Sequence, residues 1–141
     1  MAETRTLLRF ELPDELTATT IQLAVVQLSA TILVSDASGV VALQASPLTM
    51  DWSGDSVTWA GGWSTPGGDF DSSLHAIWMV NQGESAVVRF DVTRVVRAWL
   101  ADERSNNGMI VRTALEGSGS VSPVDGDGGP AAASLTVYYS K

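Results

Sequence analysis

Few side chains in this sequence could do acid–base or nucleophilic chemistry. The 141 residues include one histidine and no cysteine. A nucleophile needs a base beside it, and the one imidazole belongs to His75, in the apolar run Leu74–Val80. Read as a strand, that run puts His75 on a face with Ile77 and Met79, which is a structural or surface setting. Zinc would have to rest on carboxylates, because one His and no Cys fall short of its usual ligand sets. Two carboxylate pairs remain. Asp69 and Asp71 stand in Gly67-Gly68-Asp69-Phe70-Asp71, and Asp125 and Asp127 in Val124-Asp125-Gly126-Asp127-Gly128. Asp alternating with Gly can ligate calcium, so Asp69 and Asp71 are weak calcium candidates. Neither run reaches the distal Glu of the helix–loop–helix calcium pattern, and turn chemistry accounts for the same residues. We expect no catalytic residue, no cofactor and no enzyme.

The tryptophans say more. There are five, and Trp52, Trp59 and Trp63 fall within Asp51–Asp71. Large aromatic rings fill cores, and that role is assigned to Trp52, Trp59 and Trp99. An exposed ring can instead stack on the face of a sugar, and Trp63 and Trp78 are the candidates for glycan contact.

These side chains need elements to hold them, and the sequence is mostly strand-like. A length of 141 residues suits one domain, 1–141, with a core large enough to fold without disulfides. In Thr6–Leu12 the residues Leu8, Phe10 and Leu12 alternate with Leu7, Arg9 and Glu11, the period of a strand. Pro13-Asp14 ends it. Thr19–Val34 reads as a long central strand, and Val40–Leu48 as its hairpin partner. Short strands follow at Val57–Ala60, Leu74–Val80, Ala86–Asp91, Met109–Leu115 and Ser134–Tyr139. The Gly/Ser/Asp-rich stretch Gly117–Gly129 reads as a loop. One segment has a different period. Val92, Val95, Val96, Trp99 and Leu100 fall on one face of a helix, with Asp91 or Thr93 able to cap its first turn. Asn107-Gly108 suits a turn of positive φ. The expected fold is an all-β, jelly-roll-like antiparallel β-sandwich with one short crossover helix at about 92–102.

Charge narrows the partners. The formal net charge is −8, and seven of the eight basic residues are Arg. No basic face marks a nucleic-acid site or an anionic membrane surface. The N-terminus MAETRTLLRFELP lacks the pattern of a signal peptide, which suggests assembly in the cytoplasm.

Taken in order, Arg5-Thr6-Leu7-Leu8-Arg9-Phe10, Trp52 with Val57-Thr58-Trp59, Phe90-Asp91-Val92-Thr93 with Val96 and Trp99, Asn106-Asn107-Gly108, and Leu135-Thr136-Val137-Tyr138-Tyr139 make a pattern spanning nearly the whole chain. It resembles the DNRLRE-type β-sandwich domain, a relative of disaggregatase-associated and carbohydrate-binding modules. The resemblance implies a jelly-roll-like sandwich with Trp59 and Trp99 as core markers and Asp91 and Thr93 capping the helix. It also implies kinship with modules that bind polysaccharide. Relatives place a further strand or two before the segment matching Arg5–Leu12.

Two functional readings follow. The first is a non-catalytic assembly protein, a decoration, cement or adaptor subunit of a phage or virus-like particle, found on the virion or particle surface. A missing terminal strand would leave a sheet edge for a neighbour. The contacts would be Met1, Ala2, Glu3, Thr4, Arg5, Asp125 and Asp127, with partners drawn from further copies of the chain, a shell or a scaffold protein. The alternative is a carbohydrate-binding module that presents Trp63 and Trp78 to polysaccharide. The first is the reading preferred from sequence.

Overall fold

The structure is a computed structural model that describes residues 5–34, 40–52, 61, 63–64, 68–81, 85–113, 119–123 and 133–140. It contains eight strands and one helix among these residues: β1 (Thr6–Leu8), β2 (Ile21–Val34), β3 (Val40–Pro47), β4 (Ala76–Asn81), β5 (Ser85–Asp91), α1 (Thr93–Leu100), β6 (Met109–Thr113), β7 (Gly119–Pro123) and β8 (Ala133–Tyr139). Every strand pairing is antiparallel. One sheet runs β1-β6-β3-β4. In the other, β2 is flanked by β5 on one side and by β7 and β8 on the other. The result is the all-β sandwich expected from the alternation. No helix among the described residues is long and apolar enough to cross a membrane.

The core is made by one face of each sheet. Ala24, Val26 and Leu28 of β2 and Val88 and Phe90 of β5 meet Val41, Leu43 and Ala45 of β3 and Met109 and Val111 of β6, all buried. Successive side chains on a strand point to opposite faces, so the residues between these look outward. Leu8 is buried and Phe10 and Leu12 are half-buried against the core, as the alternation in that segment requires.

The helix has the phase that its spacing predicts. Val95, Val96 and Trp99 are buried beside Val92. The N-cap position falls on Val92, with no side-chain cap, so neither Asp91 nor Thr93 takes the cap expected of it. Asp91 Oδ1 instead accepts from Thr93 N at 3.1 Å and from Thr93 Oγ1 at 2.6 Å, which fixes the turn into the helix. The Thr93 hydroxyl oxygen in turn accepts from Ala24 N at 3.0 Å. Arg97 donates to Ile21 O at 2.7 Å, so α1 is pinned to the start of β2. The helix closes with Asp102 N bonded to Trp99 O and Glu103 N bonded to Ala98 O. This paired arrangement puts the residue after the cap in the left-handed region, and Asp102 has φ +58°.

Several expectations need correction. β3 does not form a hairpin with β2. It lies in the other sheet, between β4 and β6, because both sides of β2 are taken by β5, β7 and β8. The stretch expected as a loop over Gly117–Gly129 includes β7, whose Gly119–Pro123 pairs with Ala30–Val34. β2 has 14 residues and β8 only seven, so β7 fills the remaining ladder. The first strand stops at Leu8, not Leu12. Beyond it, Asn106 Nδ2 donates to Phe10 O at 2.8 Å, replacing strand pairing with a side-chain tie. The segment expected as a strand at Val57–Ala60, together with Trp59, lies outside the described residues.

Candidate functional site

Between β3 and β4 the chain makes a long excursion, and within it Trp63, Gly68 and Phe70 lie by the outer face of the β1-β6-β3-β4 sheet. Ile110 and Arg112 of β6 point to that face, since Met109 and Val111 point into the core. Gly68 sits against it. A Cβ added there would be 3.0 Å from Ile110 Cδ1 and 4.0 Å from both Leu48 Cδ2 and Trp63 Cε2, and φ is +114°. Glycine thus lets the excursion lie close to the sheet. Phe70 forms a bridge with Leu48. Its ring takes the guanidinium of Arg112 at 4.8 Å from the centroid and that of Arg5 at 5.8 Å. Arg112 is itself aimed by a hydrogen bond to Gln44 Oε1 at 2.9 Å.

Within the excursion lies an open groove of about 710 Å³, lined by Thr49, Met50, Ser64, Gly68, Asp69, Phe70 and Ser72. It combines an aromatic ring and a thioether with three hydroxyls and a carboxylate. Such a lining binds ligands that offer both C–H faces and hydroxyl groups. No group of three or more His, Asp or Glu side chains able to hold a metal occurs among the described residues.

The candidates named from sequence are scattered. Trp63 is half-buried, with its Cε2 4.0 Å from where a Gly68 Cβ would stand. Trp78 lies opposite Leu43 in the β3–β4 register, on the core-facing side of an edge strand, and is 36% exposed. The two rings are on opposite faces of one sheet and form no common platform. Arg5 is half-buried and reaches Phe70. Met1, Ala2, Glu3, Thr4, Asp125 and Asp127 lie outside the described residues. His75 is exposed, with Nδ1 2.7 Å from Ser72 O. Trp52, expected in the core, is at the rim: Arg9 stacks on it at 4.6 Å, and its Nε1 donates to Asn107 O at 2.5 Å. Phe70 and Arg112 were not found from sequence. An aromatic in a Gly/Asp turn and an arginine in a strand carry no local signal, and only the sheet brings them together.

The two aspartates do different work. Asp69 Oδ2 accepts from Ser64 N at 2.8 Å and so orders one wall of the groove. Asp71 accepts from the Ser73 hydroxyl and N–H and from Arg104 Nε at 2.6 Å. The Ser73 hydroxyl, then the Arg104 guanidinium and the Ser73 N–H, hold its carboxyl at about 2, below the ordinary 3.8. Folding lowers this pKa, so the stabilisation it brings is complete above about pH 4 and is lost as the pH falls through about 2. Arg104→Ala should move the Asp71 titration midpoint upward in a carboxyl carbon NMR titration. An unchanged midpoint would show that the ion pair plays no part.

The described residues thus form a β-sandwich that carries an open groove of mixed aromatic and polar lining. The chain belongs to carbohydrate-binding module family 96, whose family model matches residues 1–126. No curated protein and no solved structure gave a match. The family match meets the broader part of the resemblance seen in the sequence, a carbohydrate-binding-module-like sandwich. It favours the glycan-binding reading over particle assembly, for which neither the fold nor the comparisons supply support.

Proposed function

We propose that this chain is a non-catalytic module that binds a glycan chain in the groove at Phe70. The observation that carries the reading is the grouping of Phe70, Met50, Thr49, Ser64, Ser72 and Asp69 around one open groove, in a chain of a carbohydrate-binding family. The Phe70 ring stacks on the C–H face of a sugar. The hydroxyls and the Asp69 carboxylate exchange hydrogen bonds with its hydroxyl groups. Arg112 and Arg5 hold the ring in place and add positive charge beside it. An open groove admits an internal stretch of polymer as well as an end.

Phe70→Ala should weaken oligosaccharide binding by about tenfold or more, the scale of losing one buried aromatic anchor. Isothermal titration against a panel of neutral and uronate-containing oligosaccharides reads this directly, with the melting temperature as a check on folding. Wild-type affinity in a folded Phe70→Ala variant would place the site elsewhere.

A further inference from the structure

The outer face of the other sheet carries a second set of side chains with the same chemistry. On β2, Val26 and Leu28 are core residues, so Val25 and Gln27 point outward. On β5, Val88 and Phe90 are core residues, so Arg89 and Asp91 point outward. On β8, Leu135 and Val137 pack on the core, so Ser134, Thr136 and Tyr138 point outward. The register arranges these in rows. Leu23 stands opposite Tyr138. Val25 stands between Asp91 and Thr136, and Gln27 between Arg89 and Ser134. Tyr138 is 55% exposed and Leu23 37%. Arg89 Nε donates to Gln27 Oε1 at 3.1 Å, and this bond fixes both planar groups along the face.

We infer that this face is a second glycan-binding surface, with Tyr138 and Leu23 as the stacking step and Gln27, Arg89, Asp91 and Thr136 as the hydroxyl-binding rows. The inference rests on the glycan-binding reading above and extends it. From Tyr138 to Ser134 the strand covers roughly 13 Å, enough for several rings of a chain laid along it. The chemistry favours a glycan over other occupants. The apolar side chains of this face are Tyr138 and Leu23 at one end, half-buried Val25, and exposed Val87 towards the other end. They are interrupted by Gln27, Arg89 and Asp91 and form no continuous patch of the kind that a protein contact buries. The one arginine sits in the row next to a carboxylate, which suits hydroxyls better than phosphate. Planar amide, guanidinium and carboxylate groups each offer paired hydrogen-bonding atoms, matching neighbouring hydroxyls on a sugar ring. The two faces point away from each other across the sandwich, so one chain segment cannot fill both. The module is therefore bivalent and bridges two glycan strands, gaining avidity on a polymer without any new contact.

The test is the stoichiometry of titration with the best-binding oligosaccharide of the panel, for the wild type, Phe70→Ala, Tyr138→Ala and the double variant. Tyr138 is exposed enough that Tyr138→Ala should melt like the wild type, and Tyr138→Phe should keep the stacking. The expected result is two ligands per wild-type chain, one in each single alanine variant, two in Tyr138→Phe and none in the double variant. One ligand per wild-type chain, lost with Phe70→Ala and untouched by Tyr138→Ala, would overturn the second surface and leave the groove standing. One ligand lost with Tyr138→Ala and untouched by Phe70→Ala would do the reverse, moving the site to this face and ending the bivalent reading. No binding by any oligosaccharide would end both.

Discussion

Gly108→Ala is expected to destabilise the fold by about 3 kcal/mol or more, from backbone strain and a forced separation of strands. Gly108 has φ +84°, and a Cβ there would lie 2.1 Å from Leu8 O, 3.1 Å from Leu8 C and 3.2 Å from Arg9 Cα. These are backbone atoms that cannot rotate away. Gly108 also ties three segments together: its N–H bonds to Asn106 Oδ1, and its carbonyl accepts from Leu48 N at 2.9 Å. Moving it to relieve the clash would disturb the β1–β6 pairing at Leu8 and Met109 and the end of β3. Urea unfolding measures the effect. A loss under about 1 kcal/mol, the scale of ordinary substitutions, would mean that the β1 edge yields easily.

Trp99→Ala should cost about 3–5 kcal/mol, as for other buried aromatics. The side chain is 5% exposed, within the cluster formed by Val95, Val96 and the sheet core. Its Nε1 is buried with no hydrogen-bond partner among the described residues. That makes a second variant informative. Trp99→Phe keeps most of the ring and removes an unsatisfied donor, so it should lose less than about 1.5 kcal/mol, close to a tolerated apolar swap. Equal losses in the two variants would show that the indole N–H has a role in holding the helix.

The helix was legible because its period differs from everything around it: Val92, Val95, Val96 and Trp99 repeat at helical spacing in a chain that otherwise alternates by two. The phase of the first segment was legible from its alternation, which put Leu8, Phe10 and Leu12 on the face that packs on the core. Strand partnership was not. Alternation in β3 shows that one face is buried, but not in which sheet, and the answer depended on β5, β7 and β8 already lining β2. β7 was hidden by its composition: Gly119-Ser-Val-Ser-Pro123 has the residues of a loop, and the demand for a strand there comes from the far half of β2. The groove was hidden for a related reason. Trp63 and Trp78 stand out in the sequence as large aromatics, yet Trp63 is half-buried beside Gly68 and Trp78 sits on the core-facing side of β4. Phe70 acquires its setting from Leu48, from Arg5 just before β1 and from Arg112 of β6, all distant in sequence.

Amide chemical-shift mapping during a titration with oligosaccharides tests whether this sandwich binds glycan in the groove at Phe70 and on the face at Tyr138. Saturable shifts are expected in one group at Thr49, Met50, Ser64, Asp69, Phe70 and Ser72 and in a second at Leu23, Gln27, Arg89, Thr136 and Tyr138. Absence of saturable shifts across a panel of neutral and uronate-containing glycans, or shifts confined to residues away from both groups, would contradict glycan binding at these places.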